Sequence, residues 1–547
     1  MMMGLIECPT SFHTTNNKRM YKLIFSFVLL LTATAGLAQN KTATKYAAVI
    51  NQASLKKHLG ILASDSLEGR ETGTKGQRMA AEYIENHFKK IGLKPLASLK
   101  GYQQYFPLRK DSLQSLMLMV NGHQAIAGVD VICPIAKNET NNFELEKSGT
   151  NNIVFAGYGI DDPQYSDYEN IDVKGKIVVI FSGEPQRNGK YFIKADNTAS
   201  PWERNELMKA NAASARGAIG MFVILTNVSK FTDWDIRRNH KSRFHFVGLD
   251  EENEKHDISY CFISHDFARN FLDADMDMLL DMAKKQRLMN EVVKNANMPI
   301  SYAMKKHSDI VNASNILGVI EGTDKKDEFV FLTAHYDHLG IQGGKVYNGA
   351  DDDGSGTTAV MMMAEAFAKA KKEGHGPRRT VVCMTVSGEE KGLWGSEYYS
   401  DHPVYPLEKT SVDLNTDMIG RMDTERKTDD TANYVYVVGH DKISSELPLI
   451  NEKINNENTK LVLDYKFDDP KDPERIYYRS DHYNFARKGV PVLFFYDGML
   501  KADYHKPTDD IEKISWSLFE KRAHMIFLTA WEMANRNEML IRDKPLP

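Results

Sequence analysis

The chain is poor in cysteine, carries no surplus of positive charge and has one long apolar run, and each shortage narrows what it does. There are four cysteines in 547 residues. Cys8 precedes the apolar run, and the others, Cys133, Cys261 and Cys383, form an odd, sparse set that makes no disulfide framework. Cys383 lies inside an apolar stretch and reads as a small buried hydrophobe, while Cys133 and Cys261 pair only if the fold brings them together. None has the surroundings of a nucleophile. The formal net charge of −5 shows no basic excess, so a nucleic-acid partner is not indicated.

The apolar run is Leu23–Leu31. It follows Lys22 and leads to Ala35-Gly36-Leu37-Ala38, the pattern of an export signal cut after Ala38, and Met20 offers a second translation start. The run is short for a membrane span. Residues 1–38 are therefore read as leader and signal, and the mature protein is expected in the periplasm or outside the cell, with no stable membrane insertion once the signal is cut.

At 547 residues and 42% hydrophobic, the chain is long enough for more than one domain. Its organising stretch runs from Glu328 to Phe367. Phe329–Leu332 is a short apolar run suited to a buried strand, His335, Asp337 and His338 follow it, and then come Asp351, Asp352 and Asp353 ahead of Gly354-Ser355-Gly356. Thr357–Lys371 reads as a helix. Three aspartates before a helix also suit a cap and solvated charge. Similar strand ends recur, however: Arg379–Val386 leads to Glu389-Glu390, Ser411–Leu414 to Asn415-Thr416-Asp417, and Val490–Phe495 to Tyr504-His505. Each delivers carboxylate or imidazole groups, the ligand types of a hydrolytic zinc site, at the strand ends where open α/β sheets place their sites.

These elements, His335-Tyr336-Asp337, Gly349-Ala350-Asp351-Asp352, Glu389-Glu390, Asn415 to Gly420 and Tyr504-His505, resemble in order the pattern of the M28 zinc exopeptidases. The resemblance implies two zinc ions, with Asp351 bridging, His335 and Asp417 on one side, and Glu390 and His505 on the other. It implies that Glu389 is the general base for a metal-bound hydroxide, and that Asp337 orients His335 through its other ring nitrogen. It also implies a cis peptide in the acidic loop. In Ile476–Phe485, which resembles the family's S-D-H stretch, Tyr477 is expected to hold the developing oxyanion, with Tyr478 the other possibility, and His482 is expected to be structural. Asp509, or equally Asp510, is expected to support His505.

Ahead of the motifs, Ala80, Tyr83, Ile84, Phe88 and Ile91 line one face of a helix stopped by Gly92 and Pro95. Glu68, Arg70 and Glu71 just before it suit either a cleft rim or ordinary surface. The neighbouring glycines lack the preceding strand and lysine of a phosphate loop. Residues 152–159, 173–179 and 215–218 resemble the protease-associated domain inserted in many exported peptidases. Tyr191–Lys209 is too polar for a core element and suits a plain surface loop or an excursion toward the active-site mouth. The expected division is 39–130 and 300–547 for the catalytic part and 131–299 for the insert. The fold class is α/β, a zinc-exopeptidase fold with a mixed central sheet flanked by helices and a β-rich insert. Ser314–Gly322 is expected to meet Phe329–Leu332 across a turn.

The function so implied is hydrolysis of a peptide substrate by two zinc ions, releasing the amino-terminal residue. A carboxypeptidase of the same fold stays open through Arg475 and Arg479, and so does a non-catalytic metal-binding interaction protein. Nothing in the sequence fixes an oligomeric state.

Overall fold

Phe329–Leu332 lies within an eleven-residue strand whose last seven residues are buried. In this computed structural model the described residues are 41–546, apart from 135–141, 146–152, 227, 229–230, 232–241, 248–257, 259, 271–275, 286–294, 297–298 and 431. The signal reading of 1–38 lies outside them. No helix among them is long and apolar enough to cross a membrane.

The chain divides into two units, Met1–Tyr105 with Ser314–Ile341 and Val346–Pro547, and Phe106–Ala313 with Gln342–Lys345. These breaks differ from the expected 130/131 and 299/300. The reason is that the chain crosses both on long strands, Gln103–Val120 and Ile300–Ile320, where no glycine or proline cluster marks a boundary.

We label β1 (Ile300–Ile320, whose part from Ser314 on belongs to the first unit), β2 (Lys325–His335), β3 (Arg379–Val386), β4 (Thr410–Thr416), β5 (Tyr434–Val438), β6 (Val462–Asp464) and β7 (Val492–Tyr496). They lie in the order β1-β3-β2-β4-β7-β5-β6. The run β3-β2-β4-β7 is parallel, and β1 and β5 pair antiparallel at its two ends. The expected β1–β2 hairpin does not form. β3 lies between them, so Cys383 sits opposite both Gly318 and Leu332. Thr323 and Lys325, in the link, donate their amides to the carbonyls of Pro377 and Arg378 ahead of β3, so the link is tied to β3 rather than closed on itself.

Every residue of β3, β4 and β7 is buried, as parallel strands covered by helices require. The helices are α1 (Gln52–Leu62), α2 (Lys75–Lys90), α3 (Gly354–Lys372), α4 (Trp394–Asp401), α5 (Leu447–Glu457) and α6 (Trp516–Asn535). Phe331 of β2 meets Tyr399 of α4 and Phe485, while Phe367 of α3 packs on Phe527 and Trp531 of α6. Because the four parallel strands share a direction, His335, Val386, Thr416 and Tyr496 all end at one edge of the sheet.

The second unit has its own sheet. Ile153–Phe155, Ile177–Phe181, Gly220–Ile224 and Tyr260–Ile263 run parallel, and a helix, Glu206–Ala215, precedes the third strand. One open question is answered here and one expectation changes. Cys133 and Cys261 form a disulfide. The polar stretch 191–209 is no plain surface loop, because Trp202 and Lys209 are buried, Lys209 Nζ donates to the Gly183 carbonyl at 2.8 Å, and buried Glu184 accepts from the Ser200 amide and hydroxyl. Its polar groups are satisfied internally, which is what lets them leave water.

Candidate metal centre

The register of the parallel strands sets the site. Thr333 pairs with Asn415, so His335 at the end of β2 stands level with Asp417, just past the end of β4. The turn after β3 brings up Glu389 and Glu390, and the chain beyond β7 returns with Tyr504 and His505.

Asp352 stands at the centre. One of its oxygens is 3.3 Å from His335 Nε2 and the other 3.3 Å from His505 Nε2. Asp417 Oδ1 is 3.5 Å from His335 Nε2, and Glu390 Oε2 is 3.0 Å from His505 Nε2. The structure therefore brings together His335, Glu390, Asp417 and His505, but gives the central place to Asp352 and not to Asp351. Asp351 turns away to accept the Gly420 amide at 2.8 Å. Asp353 turns away as well, capping α3 through the Gly356 amide at 2.8 Å and accepting the Met418 amide at 3.0 Å. The cis peptide lies between Asp352 and Asp353.

His338, noted in the sequence but given no role, also enters the cluster. It is fully buried, with Nδ1 2.7 Å from Glu390 Oε1 and 3.8 Å from Asp352 Oδ2. Two triads result, His335/Asp352/Asp417 and His338/Asp352/Glu390, each with ligand atoms close enough to hold one cation. His335 Nε2, both His338 nitrogens, Asp352 Oδ2 and Glu390 Oε1 are buried with no hydrogen-bond partner among the described residues. Buried polar atoms are normally paired, so a set of unpaired imidazole and carboxylate atoms facing one another fits a metal of the zinc type.

The supporting groups are as specific. His335 Nδ1 bonds the main-chain carbonyl of Asp337 at 3.1 Å, and the Asp337 carboxylate stands 3.6 Å from the same nitrogen. The expected orientation of the ring thus comes first from the backbone of Asp337. Its carboxylate accepts from Thr72 at 2.6 Å and from the Glu389 amide at 3.3 Å, tying the β2 and β3 ends together. Ser480 donates to Asp417 at 2.7 Å. Asp509 does not support His505. It accepts the amides of Asp351 and Asp352 at 3.1–3.2 Å and so holds the acidic loop, while Asp510 accepts from Asn348.

Arg70 is neither rim nor surface. It is 1% exposed, and its guanidinium donates to the carbonyls of Tyr336, Leu62, Asn348 and Gly349, clamping the loop ahead of the aspartates. Arg70→Met is expected to lower the unfolding free energy by about 3–5 kcal/mol, because several buried carbonyls lose their donor at once. A urea titration with unchanged slope measures it. A loss under about 1 kcal/mol would show that water replaces the guanidinium.

Electrostatically the two adjacent glutamates part. Glu389 is partly buried, and desolvation, with Asp417, Glu390 and Asp481 adding to it against His335, pushes its carboxyl well above the usual range. Glu390 is equally enclosed, yet His338 and His505 draw it down to about 2. His505 is pushed up to about 10 against its burial by Asp352 and Glu390. Tyr477 is buried among Tyr478, His482 and Tyr483, and its hydroxyl has no hydrogen-bond partner among the described residues. Tyr504, a motif residue to which no role was assigned, stacks on His505 at 3.8 Å, and its hydroxyl accepts from Arg479 at 3.2 Å. His482 is buried and stacked on Phe494.

The model of peptidase family M28 matches residues 315–530. Aminopeptidase YwaD of Bacillus subtilis is 25% identical over 239 residues, 41% of this chain and 46% of that protein. A probable zinc metalloprotease of Pyrenophora tritici-repentis is 34% identical over 218 residues, 34% of this chain and 41% of that one. The match thus spans about half the length of these relatives or less. Among solved structures, the aminopeptidase from Aneurinibacillus sp. strain AM-1 superposes with a TM-score of 0.54 at 16% identity, covering 92% of this chain and 99% of that one. A zinc aminopeptidase from Bacillus subtilis gives 0.53 at 19%, covering 91% and 99%. These likenesses share the mixed α/β fold. All the converging imidazoles and carboxylates fall within the stretch that the peptidase family M28 model matches.

Proposed function

We propose that the protein is a dizinc exopeptidase that releases amino-terminal residues from peptides. The observation that carries the proposal is Asp352, whose two oxygens each face a different imidazole at 3.3 Å, which suits one carboxylate shared between two cations. His335 and Asp417 would complete one side, and Glu390 with His505 the other, where His338 is a further nitrogen donor. Zinc held there would acidify a water and polarise the scissile carbonyl.

The chain's own groups supply the rest. Glu389, as the carboxylate, would take the proton of the attacking water and return it to the departing amine. Asp337 and Thr72 hold the His335 turn against the Glu389 turn. The unpartnered hydroxyl of Tyr477 is the donor for the developing oxyanion, and the Arg479-held hydroxyl of Tyr504 is the second candidate, so Tyr477→Phe compared with Tyr504→Phe separates them.

Amino-terminal polarity is supported by the surplus of carboxylates, which suit an α-ammonium. The arginines that would suit a terminal carboxylate are engaged elsewhere: Arg479 bonds Tyr504 and pairs with Glu474, and Arg475 lies over the Tyr478 ring. Mass spectrometry on three matched peptides tests this. Stepwise loss from the free and the carboxyl-amidated peptide, blocked by amino-terminal acetylation, is expected. Loss from the carboxyl end of the acetylated peptide, abolished by amidation, would make the enzyme a carboxypeptidase.

Export to the periplasm or beyond belongs to the same reading, supported by the 1–38 pattern and by the Cys133–Cys261 disulfide, which suits an oxidising compartment. The second unit has no cluster of three metal-ligating side chains among its described residues, and we assign it, as a protease-associated domain, to substrate selection and not to chemistry.

A further inference from the structure

We propose that the protein binds an additional zinc-type cation outside the catalytic cluster, on His58 of α1, His87 of α2 and Glu365 of α3. Each of the three offers a ligand atom, and these atoms lie within 4.8 Å of one another. They line a cavity of about 540 Å³. The site shares no residue with the catalytic cluster and does not rest on the peptidase reading.

Both imidazoles are nearly inaccessible, at 7% and 6% exposure, and their rings meet edge to face at 4.7 Å. Each ring has one nitrogen engaged. His58 Nδ1 bonds the Tyr83 hydroxyl at 2.8 Å, and His87 Nε2 faces the Met361 carbonyl at 3.2 Å. The hydroxyl on His58 Nδ1 is how ligating histidines are usually oriented, with the other nitrogen left for the metal, whereas His87 Nε2 faces both the Met361 carbonyl and Glu365. Glu365 Oε2 stands 3.9 Å from His87 Nε2 and brings the negative charge. Burial, with His87, Lys57 and Lys90 adding to it, pulls His58 down to about 4, and burial lowers His87 too, so both present lone pairs at neutral pH. Two neutral imidazoles and one carboxylate form a three-ligand zinc set with room for water in the fourth place.

The cavity also carries Lys57, Lys90, Lys369 and Lys372, all exposed, which raises an anion as the rival occupant. An anion reaching His58 and His87 would meet two uncharged rings and a carboxylate, whereas a cation there meets three electron-pair donors. The lysine charges are borne on long, solvated chains and are screened over about 8 Å at physiological salt.

A cation at this place would join α1, α2 and α3. Between α1 and α2 lies the segment carrying Arg70 and Thr72, so occupancy should stiffen the frame of the catalytic cluster without touching it.

The test is zinc counting after equilibrium dialysis, together with thermal melts over a zinc titration, on the full-length wild type, Glu365→Gln and His87→Gln. Glu365 is partly exposed, so its variant stays folded even if His87→Gln does not. The expected result is one zinc equivalent fewer in Glu365→Gln than in wild type, loss of the weaker phase of zinc-dependent stabilisation, and unchanged peptide turnover. The difference in equivalents is read whatever the catalytic cluster itself holds. Equal zinc content in wild type and Glu365→Gln would overturn the proposal. So would stabilisation by inorganic phosphate that zinc does not give, which would assign the cavity to an anion.

Discussion

Asp352→Asn is expected to release metal from both halves of the cluster and to lower peptide turnover at least about a thousandfold, since a bound cation supplies several kcal/mol of charge stabilisation and each 1.4 kcal/mol is a factor of ten. The amide keeps the size of the side chain but offers one neutral oxygen where two charged ones faced His335 and His505. Asp351→Asn, one residue earlier, is expected to keep the metal and most of the activity. The Asp351 carboxyl is pushed well above the usual range by burial and by Asp497 and Asp509, and an amide of the same size keeps the oxygen that accepts the Gly420 amide. Metal analysis beside steady-state kinetics checks both. Metal loss in Asp351→Asn with retention in Asp352→Asn would reverse the assignment.

Glu389→Gln and Glu390→Gln should separate chemistry from binding. The first is expected to keep its metal while kcat falls by about two to four orders of magnitude, the usual contribution of a positioned proton carrier. The second is expected to lose metal, because Glu390 is the carboxylate that His338 and His505 both face. Equal metal loss in the two, with normal turnover in Glu389→Gln, would show that the roles are wrongly divided.

Much of the site was legible because apolar runs end abruptly. β2, β3, β4 and β7 are buried along most of their length, so the residues after them announce the sheet edge where His335, Glu390, Asp417 and His505 gather. What composition and order did not disclose was which of three chemically identical aspartates faces inward. That choice is made by amides distant in sequence, Gly420 for Asp351 and Met418 for Asp353, and it leaves Asp352 free. Arg70 was ambiguous for the same reason, since its acceptors lie at 62, 336, 348 and 349 and a lone arginine among charged neighbours carries no sign of burial. The β1–β2 hairpin failed because adjacency along the chain is a weaker constraint than the parallel pairing of β2 with β3.

The hold of Asp509 on the amides of Asp351 and Asp352 has a consequence for how the enzyme is made. The central ligand is fixed by a residue more than 150 positions later in the chain, and His505 arrives just before it. A growing polypeptide therefore has no complete cluster until His505 and Asp509 have been made, and a product broken off before His505 has neither that imidazole nor a settled acidic loop.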